Sequence, residues 1–323
     1  MSVAYALEKQ VAISAVLRAC SLTSSVFKKL VKDETVTKND KSPVTVADYS
    51  AQAVIGSILA KAFPDDPIVG EEDTAALRSA TAPPETELLR DRITTLANEA
   101  LHEPLQPGDN EAWGIGPNAP IRTNGELLDA IDRGTHLGDS KGRMWTIDPI
   151  DGTKGFLRGE QYAVCLALIV DSKVEVGRFY NGDTFPLKLS SNVPRRLLES
   201  YESGHSSHGL SEKVSKILGI TEPPLRIDSQ VKYGALARGD GMAYFRMPTG
   251  VGYEEKIWDH ASGDLIVSEA GGIVSDSRGE PLNFGLGRTL GKNYGVIGSA
   301  KSDHAAILKA IQQVSSESER SKA

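Results

Sequence analysis

Two carboxylates in the sequence Trp145-Thr-Ile-Asp-Pro-Ile-Asp-Gly-Thr-Lys-Gly155 carry the strongest chemical signal in the chain. Asp148 and Asp151 lie three positions apart across a proline, where a predicted strand ends and the chain must turn. With the carbonyl of Ile150 between them, they form an all-oxygen set that suits a hard cation such as Mg²⁺. This spacing predicts a metal site at the end of a strand.

The two residues after the second carboxylate extend this site. Gly152 and Thr153 offer backbone N–H groups and a hydroxyl, which can hold a phosphate oxygen. An isolated Asp-x-x-Asp-Gly string is more often an ordinary turn stabilised by an aspartate side chain. The full string, with an apolar strand before it and the Gly-Thr pair behind it, favours a metal and phosphate site over such a turn.

Three further acidic residues lie at predicted junctions of secondary structure. Glu71 follows the short apolar strand 68–70, although an acidic pair in this position is by itself more often a solvated loop. Asp259 precedes an apolar helix, where it would also serve as an ordinary N-cap. Asp48 follows Thr45 in a Thr-x-x-Asp capping pattern at the start of another helix. Each residue therefore has a structural interpretation beside the functional one.

Convergence of these carboxylates would decide between the two interpretations. The ends of strands and the starts of helices are the places where layered α/β proteins assemble their sites. Clustered carboxylates repel one another unless cations neutralise them, so convergence implies bound metal, and several oxygen-bound Mg²⁺ ions imply phosphoryl transfer to water. The chain has no zinc-type Cys and His spacing, Gly204-His-Ser-Ser-His208 lacks the serine-hydrolase elbow, and Gly285-Leu-Gly287 lacks the dinucleotide fingerprint.

The hydrophobic pattern predicts the elements that position these side chains. A long helix begins near residue 3, residues 34–46 form a hairpin, and a second helix starts in the turn that holds Asp48. Residues 74–142 are expected to form an insertion or mobile flap around two helices near 86–101 and 124–132. Strands and helices then alternate, which is typical of a layered α/β protein. The remaining strands are predicted over 143–148, 163–171, 173–176, 225–227, 242–246, 273–275 and 295–299, and the remaining helices over 211–218, 229–238, 258–270 and 303–314.

The composition limits the classes of partner. The 323 residues include 36 Lys and Arg against 43 Asp and Glu, a net charge of −7, which disfavours binding to nucleic acid or an anionic membrane. An anionic ligand must therefore be bound locally or through metal ions. Two cysteines and no glycosylation acceptor favour a reduced, cytoplasmic protein. The longest apolar run, residues 163–170, is too short to span a bilayer, so no membrane span is predicted.

Taken together, the motifs resemble a known family. The strings beginning at Gly70, Trp145 and Trp258 resemble the lithium-sensitive, Mg²⁺-dependent phosphatase superfamily of inositol monophosphatase and fructose-1,6-bisphosphatase. Within it, further strings are similar to those of fungal 3′(2′),5′-bisphosphate nucleotidases: Lys38-Asn-Asp-x-Ser-Pro-Val-Thr45, Gly204-His-Ser-Ser-His208, Asp228-Ser-Gln-x-Lys-Tyr233 and Glu255-Lys-Ile-Trp-Asp-His260. The resemblance covers roughly residues 5 to 312.

The resemblance implies both a fold and an activity. The fold is an α/β (α+β) protein, a layered αβαβα sandwich of two lobes with the site between them, divided at 1–188 and 189–323. The activity is hydrolysis of the 3′-phosphate of adenosine 3′,5′-bisphosphate to AMP and phosphate, with 3′-phosphoadenylyl sulfate as a second substrate. The implied cofactor is Mg²⁺, as two or three ions. The resemblance further implies that the protein is a monomer and that it acts in sulfate assimilation and salt tolerance.

The resemblance also assigns roles to individual residues. The Mg²⁺ ligands it implies are Glu71, Asp148, the Ile150 carbonyl, Asp151 and Asp259. It implies that Asp48 and Thr153 orient and deprotonate the attacking water. The substrate-binding residues it implies are His205, Ser229, Lys232 and Arg246, together with Asp151, Gly152, Thr153 and Asp259 from the metal-binding side.

One segment departs from the family pattern. Between Gly177 and Gly204 the family carries a Cys-Pro-Asn segment and further strands, and several tens of residues are missing here. Missing strands leave sheet edges unpaired, which is costly for a protein with a net stability of about 5–15 kcal/mol. Two alternatives therefore stay open beside the nucleotidase. They are an inositol polyphosphate 1-phosphatase with the same metal motifs, and an inactive metal- or nucleotide-binding protein.

Overall fold

The helices and strands are taken from a computed structural model, which describes residues 4–28, 35–37, 43–81, 83–105, 110–179, 189, 193–202, 208–248 and 252–320. The helices are α1 Ala6–Lys28, α2 Val46–Ala62, α3 Ala75–Arg78, α4 Glu85–His102, α5 Asn124–Asp132, α6 Thr153–Arg158, α7 His208–Leu218, α8 Val231–Arg238, α9 Ala261–Glu269 and α10 His304–Arg320. The strands are β1 Thr35–Thr37, β2 Pro43–Thr45, β3 Ile68–Gly70, β4 Arg143–Asp151, β5 Ala163–Val170, β6 Lys173–Phe179, β7 Leu197–Ser200, β8 Leu225–Ile227, β9 Ala243–Arg246, β10 Gly272–Ser275 and β11 Val296–Ala300.

Two sheets and one hairpin contain these strands. The first sheet has the order β3-β4-β5-β6, with β3 parallel to β4 and the other pairs antiparallel. The second sheet has the order β10-β11-β9-β7-β8, in which β7 runs parallel to both β8 and β9. The predicted hairpin before α2 is confirmed as the antiparallel pair β1 and β2. The predicted turn between β5 and β6 is confirmed at Asp171 and Ser172, whose φ angles of 46° and 69° fit a two-residue hairpin loop.

Strand β5 shows why the first sheet is covered on both faces. Its residues are apolar without interruption, and successive side chains of a strand point to opposite faces. Val164, Leu166 and Leu168 pack into the core formed with α1 and α2. Cys165 and Ile169 pack into a second core, which the sheet shares with α8 and α9.

The second sheet is covered in the same way. On β9, Tyr244 faces the core shared with α8 and α9, whereas Ala243 and Phe245 face α7 and α10. The layers therefore run in the order α1 with α2, first sheet, α8 with α9, second sheet, α7 with α10. This confirms the predicted αβαβα sandwich. The proposed division at residues 188 and 189 falls beside residues outside the described ranges and stays a prediction.

The expectation of a mobile flap over residues 74–142 is wrong for the described part of that segment. Both predicted helices are present as α4 and α5, but they pack against α2. Ile93 and Leu101 of α4 and Leu127 and Ile131 of α5 are buried. Their spacings of eight and four residues place each pair on one face of its helix, and such a narrow apolar stripe is sufficient for docking on a larger core.

Helix α1 is the one described helix that is long and apolar enough to cross a membrane. Of its 18-residue apolar window, 61% is buried inside the fold, where α1 packs against α2 and β5. Arg18 in the middle of α1 is buried and donates hydrogen bonds to the carbonyls of Ala100 and Glu103. The apolar character of α1 is therefore explained by its place in the core.

The crossing of α2 and α5 generates a test of core packing. A Cβ atom at Gly56 of α2 would lie 2.4 Å from the carbonyl oxygen of Ala130. We expect Gly56→Ala to lower the free energy of unfolding by about 1–3 kcal/mol, because a backbone atom must move. Gly125→Ala is the matched control, since no described atom lies within 4 Å of its Cβ. Denaturant unfolding should show a change of under about 1 kcal/mol for the control, and equal stability of the two variants would contradict this packing.

Candidate active site

A cleft with a cavity volume of about 210 Å³ opens between the two sheets. Its walls come from the ends of β3 and β4, the turn into α6, the loop before α8, β9 and the single helical turn before α9. Ten of the predicted site residues line this cleft: Glu71, Asp148, Ile150, Asp151, Gly152, Thr153, Ser229, Lys232, Arg246 and Asp259. Their separation in the sequence reaches from residue 71 to residue 259, so the tertiary fold brings them together.

The end of β4 presents the first two carboxylates. The pairing of β4 with β5 is regular up to Asp148 opposite Cys165, and then shifts register before Asp151 opposite Ala163. Pro149 lies in this irregular stretch and has no N–H to donate to the ladder. Glu71 joins them because β3 runs parallel to β4, and its N–H donates to the carbonyl of Ile147 at 3.1 Å.

Asp48 lies in the first turn of α2, is 1% exposed, and is not among the described residues that line the cleft. Carboxylate oxygens of Asp48, Glu71 and Glu72 lie within 4.8 Å of one another. The side chain of Gln52, one turn further along α2, fixes the loop that carries the two glutamates. Its amide nitrogen donates to the carbonyl of Glu72 at 2.7 Å, and its amide oxygen accepts from the N–H of Glu72 at 3.0 Å. The sequence analysis noted Glu72 only as the second member of the acidic pair with Glu71, and it did not single out Gln52.

Gln230 joins the two halves of the acidic cluster. Its backbone N–H donates to Asp151 Oδ2 at 2.8 Å, and its side-chain amide donates to the carbonyl of Trp258 at 2.7 Å. Its amide oxygen accepts from the backbone N–H of Gly263 at 3.1 Å, at the start of α9. Since Trp258 precedes Asp259, Gln230 sets the position of Asp259 relative to Asp151.

The carboxylates raise one another's pKa. Burial raises the pKa of Asp148 well above its usual range, and the charges of Glu71, Asp151, Asp259 and Asp48 raise it further. Burial and the charge of Asp259 raise the pKa of Asp151 to about 7, against the opposing effect of Lys232. Asp148 Oδ1 is buried and has no hydrogen-bond partner among the residues that the structure describes. The donor set therefore fits a hard metal cation, which would satisfy that oxygen and neutralise the cluster.

Two cationic side chains face these carboxylates. Lys232 is buried, and its Nζ donates to the carbonyl of Ile227 at 3.1 Å; burial lowers its pKa to about 8. Arg246 lies 3.0 Å from Glu255 through Nε and 3.6 Å from Asp259 through one terminal nitrogen. The cleft thus combines a negative wall with a positive one, inside a protein whose net charge is −7.

The turn at Gly152 and Thr153, where the sequence predicts phosphate binding, packs tightly against the opposite wall. Gly152 has a φ of 96°, and a Cβ atom there would lie 2.9 Å from Cβ of Ser229. Ser229 itself has a φ of 58°, which is unusual for a residue with a side chain. Thr153 Oγ1 donates to the carbonyl of Ile150 at 3.3 Å. Glycine is therefore required at position 152 both for its conformation and for its close approach.

Some lining residues were missed by the sequence analysis, and one predicted residue has no described position. The missed lining residues are Lys154, Ser200, Glu202, Asp228 and Tyr244. Arg158 of α6 donates to Glu202 at 2.5 Å and to Asp228 at 2.6 Å, and so connects the two walls. The first residue of the string Asp228-Ser-Gln-x-Lys-Tyr233 was the available signal for Asp228. His205 belongs to residues 203–207, which lie outside the described ranges, so its placement stays a prediction.

The raised pKa of Asp151 predicts a pH-dependent stability of the metal-free protein. Folded Asp151 keeps its proton up to about pH 7, whereas the ordinary value of 3.8 applies when the chain unfolds. Its ionisation therefore lowers the free energy of unfolding progressively as the pH rises from about 4 to 7. Asp151→Asn removes this loss. In a chelator at pH 8 we expect the variant to melt about 2 °C or more above wild type, and at pH 4 we expect no difference.

The control for this measurement is Asp65→Asn, at an exposed position. It should not change the difference between pH 4 and pH 8. A melting temperature of Asp151→Asn that is equal to wild type at both pH values would show that Asp151 carries no buried charge.

Comparison with known proteins agrees with this geometry. Residues 123–316 match the model of the inositol monophosphatase family. A 3′(2′),5′-bisphosphate nucleotidase of Schizosaccharomyces pombe is 42% identical, with 96% of this chain and 96% of the relative covered. One from Emericella nidulans is 39% identical, with 96% and 99% covered. The alignment with the S. pombe protein spans 352 positions, so that relative carries residues that this 323-residue chain lacks. Their position after Gly177 stays a prediction.

Solved structures agree on the fold. The IMPase of Thermotoga maritima has a TM-score of 0.60 at 19% identity, with 95% of this chain and 97% of that chain covered. The 2′AMP-bound SaIMPase-II has a TM-score of 0.55 at 18% identity, with 95% and 97% covered. Sequence and fold together place this chain in the inositol monophosphatase family, where it belongs with the 3′(2′),5′-bisphosphate nucleotidases.

Proposed function

We propose that this chain is a Mg²⁺-dependent phosphatase that removes the 3′-phosphate of adenosine 3′,5′-bisphosphate, giving AMP and phosphate. 3′-Phosphoadenylyl sulfate is the proposed second substrate. The observation that carries the proposal is one cleft in which carboxylates from both halves of the fold face Lys232 and Arg246. The names of the curated relatives support the choice of a bisphosphorylated nucleotide.

The acidic wall is the proposed metal site. Its ligands are Glu71, Asp148, the Ile150 carbonyl, Asp151 and Asp259, and the proposed number of ions is two or three. Bound Mg²⁺ lowers the pKa of a coordinated water and stabilises negative charge on the attacking and leaving oxygens. The buried carboxylate oxygen of Asp148 and the mutually raised pKa values are the features of this chain that favour metal binding.

Asp48 and Thr153 are the proposed water-activating pair. The carboxylate of Asp48 is buried beneath the cleft lining, within 4.8 Å of the carboxylates of Glu71, which lines the cleft, and Glu72. It takes the proton of the attacking water while the Thr153 hydroxyl orients that water. The new bond joins the water oxygen to phosphorus, and the bond from phosphorus to the 3′-oxygen breaks. The 3′-oxygen takes up a proton from solvent water as AMP leaves, and Asp48 then releases its proton to solvent.

The cationic wall holds the rest of the nucleotide. Lys232 and Arg246 bind the 5′-phosphate that is not cleaved, because its charge needs a fixed partner inside an acidic protein. Ser229 and the N–H groups of Gly152 and Thr153 are the proposed neutral donors. His205 is proposed to complete this binding site from the segment after β7.

The proposal includes the location of the protein, its oligomeric state and its cellular role. The family resemblance supports a cytoplasmic monomer that acts in sulfate assimilation and salt tolerance. The net charge of −7 disfavours binding to a nucleic acid or a membrane surface. It therefore supports a small anionic substrate that is held in a local cationic pocket.

A phosphate-release assay tests the substrate. The panel is adenosine 3′,5′-bisphosphate, 3′-phosphoadenylyl sulfate, inositol 1,4-bisphosphate and AMP, each in Mg²⁺. We expect fastest release from the first two and none from AMP. Faster release from inositol 1,4-bisphosphate would favour the inositol polyphosphate phosphatase. No release from any compound, by a protein that binds Mg²⁺ and AMP, would favour the inactive binding protein left open by the missing residues.

Replacement of the proposed base tests its role in the chemical step. We expect Asp48→Asn to lower kcat by about 10²–10⁴-fold, because a general base contributes that much, with little change in melting temperature since asparagine also suits a helix start. Asp73→Asn is the matched control, an exposed carboxylate two residues beyond Glu71. Steady-state kinetics of both variants decide the matter, and a wild-type kcat in Asp48→Asn would remove Asp48 from the mechanism.

Cation dependence tests the carboxylate cluster. We expect no turnover in a chelator and full turnover in Mg²⁺. Ca²⁺ should bind and inhibit, because it takes more ligands at longer distances and misplaces the attacking water. Li⁺ should inhibit because it carries one charge in place of two, and this inhibition should weaken in Asp151→Asn or Asp259→Asn. Turnover that persists in the chelator would contradict the metal site, and Li⁺ insensitivity would contradict only the lithium-sensitive subgroup.

A further inference from the structure

Arg288 lies outside the cleft and contacts both halves of the fold. It directly follows Gly285-Leu-Gly287, the string that lacks a dinucleotide fingerprint. Its guanidinium donates to the carbonyl of Gly70 at 2.5 Å, to that of Gly134 at 2.9 Å and to that of His136 at 3.0 Å. The carbonyl of Gly70 belongs to the peptide group that Gly70 shares with Glu71. Arg288 therefore holds the backbone of a proposed metal ligand on the first sheet.

The same guanidinium holds the other side of the cluster. It lies 4.8 Å from the centre of the Trp258 ring, and Trp258, 7% exposed, directly precedes Asp259. The backbone reinforces this contact, since the N–H of Ile257 donates to the carbonyl of Arg288 at 3.2 Å. One side chain thus connects the residue before Glu71 with the residue before Asp259.

The segment that carries Arg288 packs closely against the first half of the fold. A Cβ atom at Gly138 would lie 2.8 Å from the backbone of Gly287. Gly287 has a φ of 104°, which favours glycine. The close approach explains the glycine at 138, the φ angle explains the glycine at 287, and the contact brings Arg288 within reach of its three carbonyl acceptors.

We propose that Arg288 is a positioning residue that fixes the separation of Glu71 and Asp259, and thereby sets the affinity of the site for Mg²⁺. This inference rests on the proposed function. The two carboxylates lie on different halves of the fold and repel each other, so the ligand set needs a connection that opposes their separation. Arginine suits this task because its planar guanidinium makes several directed hydrogen bonds and stacks on an aromatic ring, whereas lysine offers a single point of charge.

The test measures Mg²⁺ binding to the metal-stripped protein by calorimetry, and AMP binding in a chelator. We expect Arg288→Met to weaken Mg²⁺ binding by about 10–100-fold, the range for residues that orient metal ligands, and to leave AMP binding unchanged. Arg133→Met is the matched control. The Arg133 guanidinium also donates to three backbone carbonyls, those of Phe63, Pro64 and Asp66, but these lie together in the loop after α2. The control should change neither affinity.

Three outcomes would overturn the inference. They are wild-type Mg²⁺ affinity in Arg288→Met, an equal loss in Arg133→Met, or a parallel loss of AMP binding, which indicates general damage to the fold. If Arg288→Met does not fold, Arg288→Lys is measured in its place. We expect Arg288→Lys to bind Mg²⁺ more weakly and AMP with wild-type affinity. Wild-type Mg²⁺ affinity in Arg288→Lys would contradict the inference. A wild-type protein that binds no Mg²⁺ would overturn the proposed function itself, and the inference with it.

Discussion

The crowding of like-charged carboxylates in one cleft sets the main constraint on the structure around it. Asp148 and Asp151 at the end of β4 and Asp259 before α9 line one cleft, and each has a raised pKa with burial as the first cause. A fold that brings such groups together must hold them against their repulsion and must supply compensating charge. The residues that surround the cleft meet these two requirements.

Neutral side chains meet the first requirement. Gln52 and Gln230 are both almost fully buried, and each uses its amide as donor and acceptor to backbone groups that flank an acidic residue. A glutamine fixes a backbone without adding charge to a cluster that already carries too much. The amides are themselves well satisfied, which removes the penalty that a buried polar group would otherwise impose.

Cationic side chains meet the second requirement on the opposite wall. Arg246 is paired with Glu255 as well as with Asp259, and Glu255 in turn contacts His260, whose other ring nitrogen contacts the hydroxyl of Tyr233. This chain of contacts fixes the position of the Arg246 guanidinium beside the carboxylates of the cleft. A fixed charge can bind an anionic ligand without the entropy loss that a mobile surface arginine would suffer.

The sequence alone determined those features whose interactions are local. Asp148 and Asp151 lie at the end of one strand, β4, and the hairpin loop at Asp171 and Ser172 is two residues long. Thr123 caps α5 with a complete capping box. The alternation of strands and helices indicated a layered α/β protein, whereas the αβαβα order came from the resemblance to the family. Spacing and propensity encode such features, since the interacting groups are neighbours in the chain.

The tertiary structure alone decided which distant residues support the site. Gln52 meets Glu72 across 20 positions, Gln230 meets Asp151 across 79, and Arg288 meets Gly70 across 218. The short strand β7 and the packing of α4 on α2 belong to the same class, because a few apolar residues become a core face only when another layer covers them. No local spacing marks these residues. Their energies come from burial and from hydrogen bonds to backbone groups, and the positions of those groups are set by the packing of the two sheets.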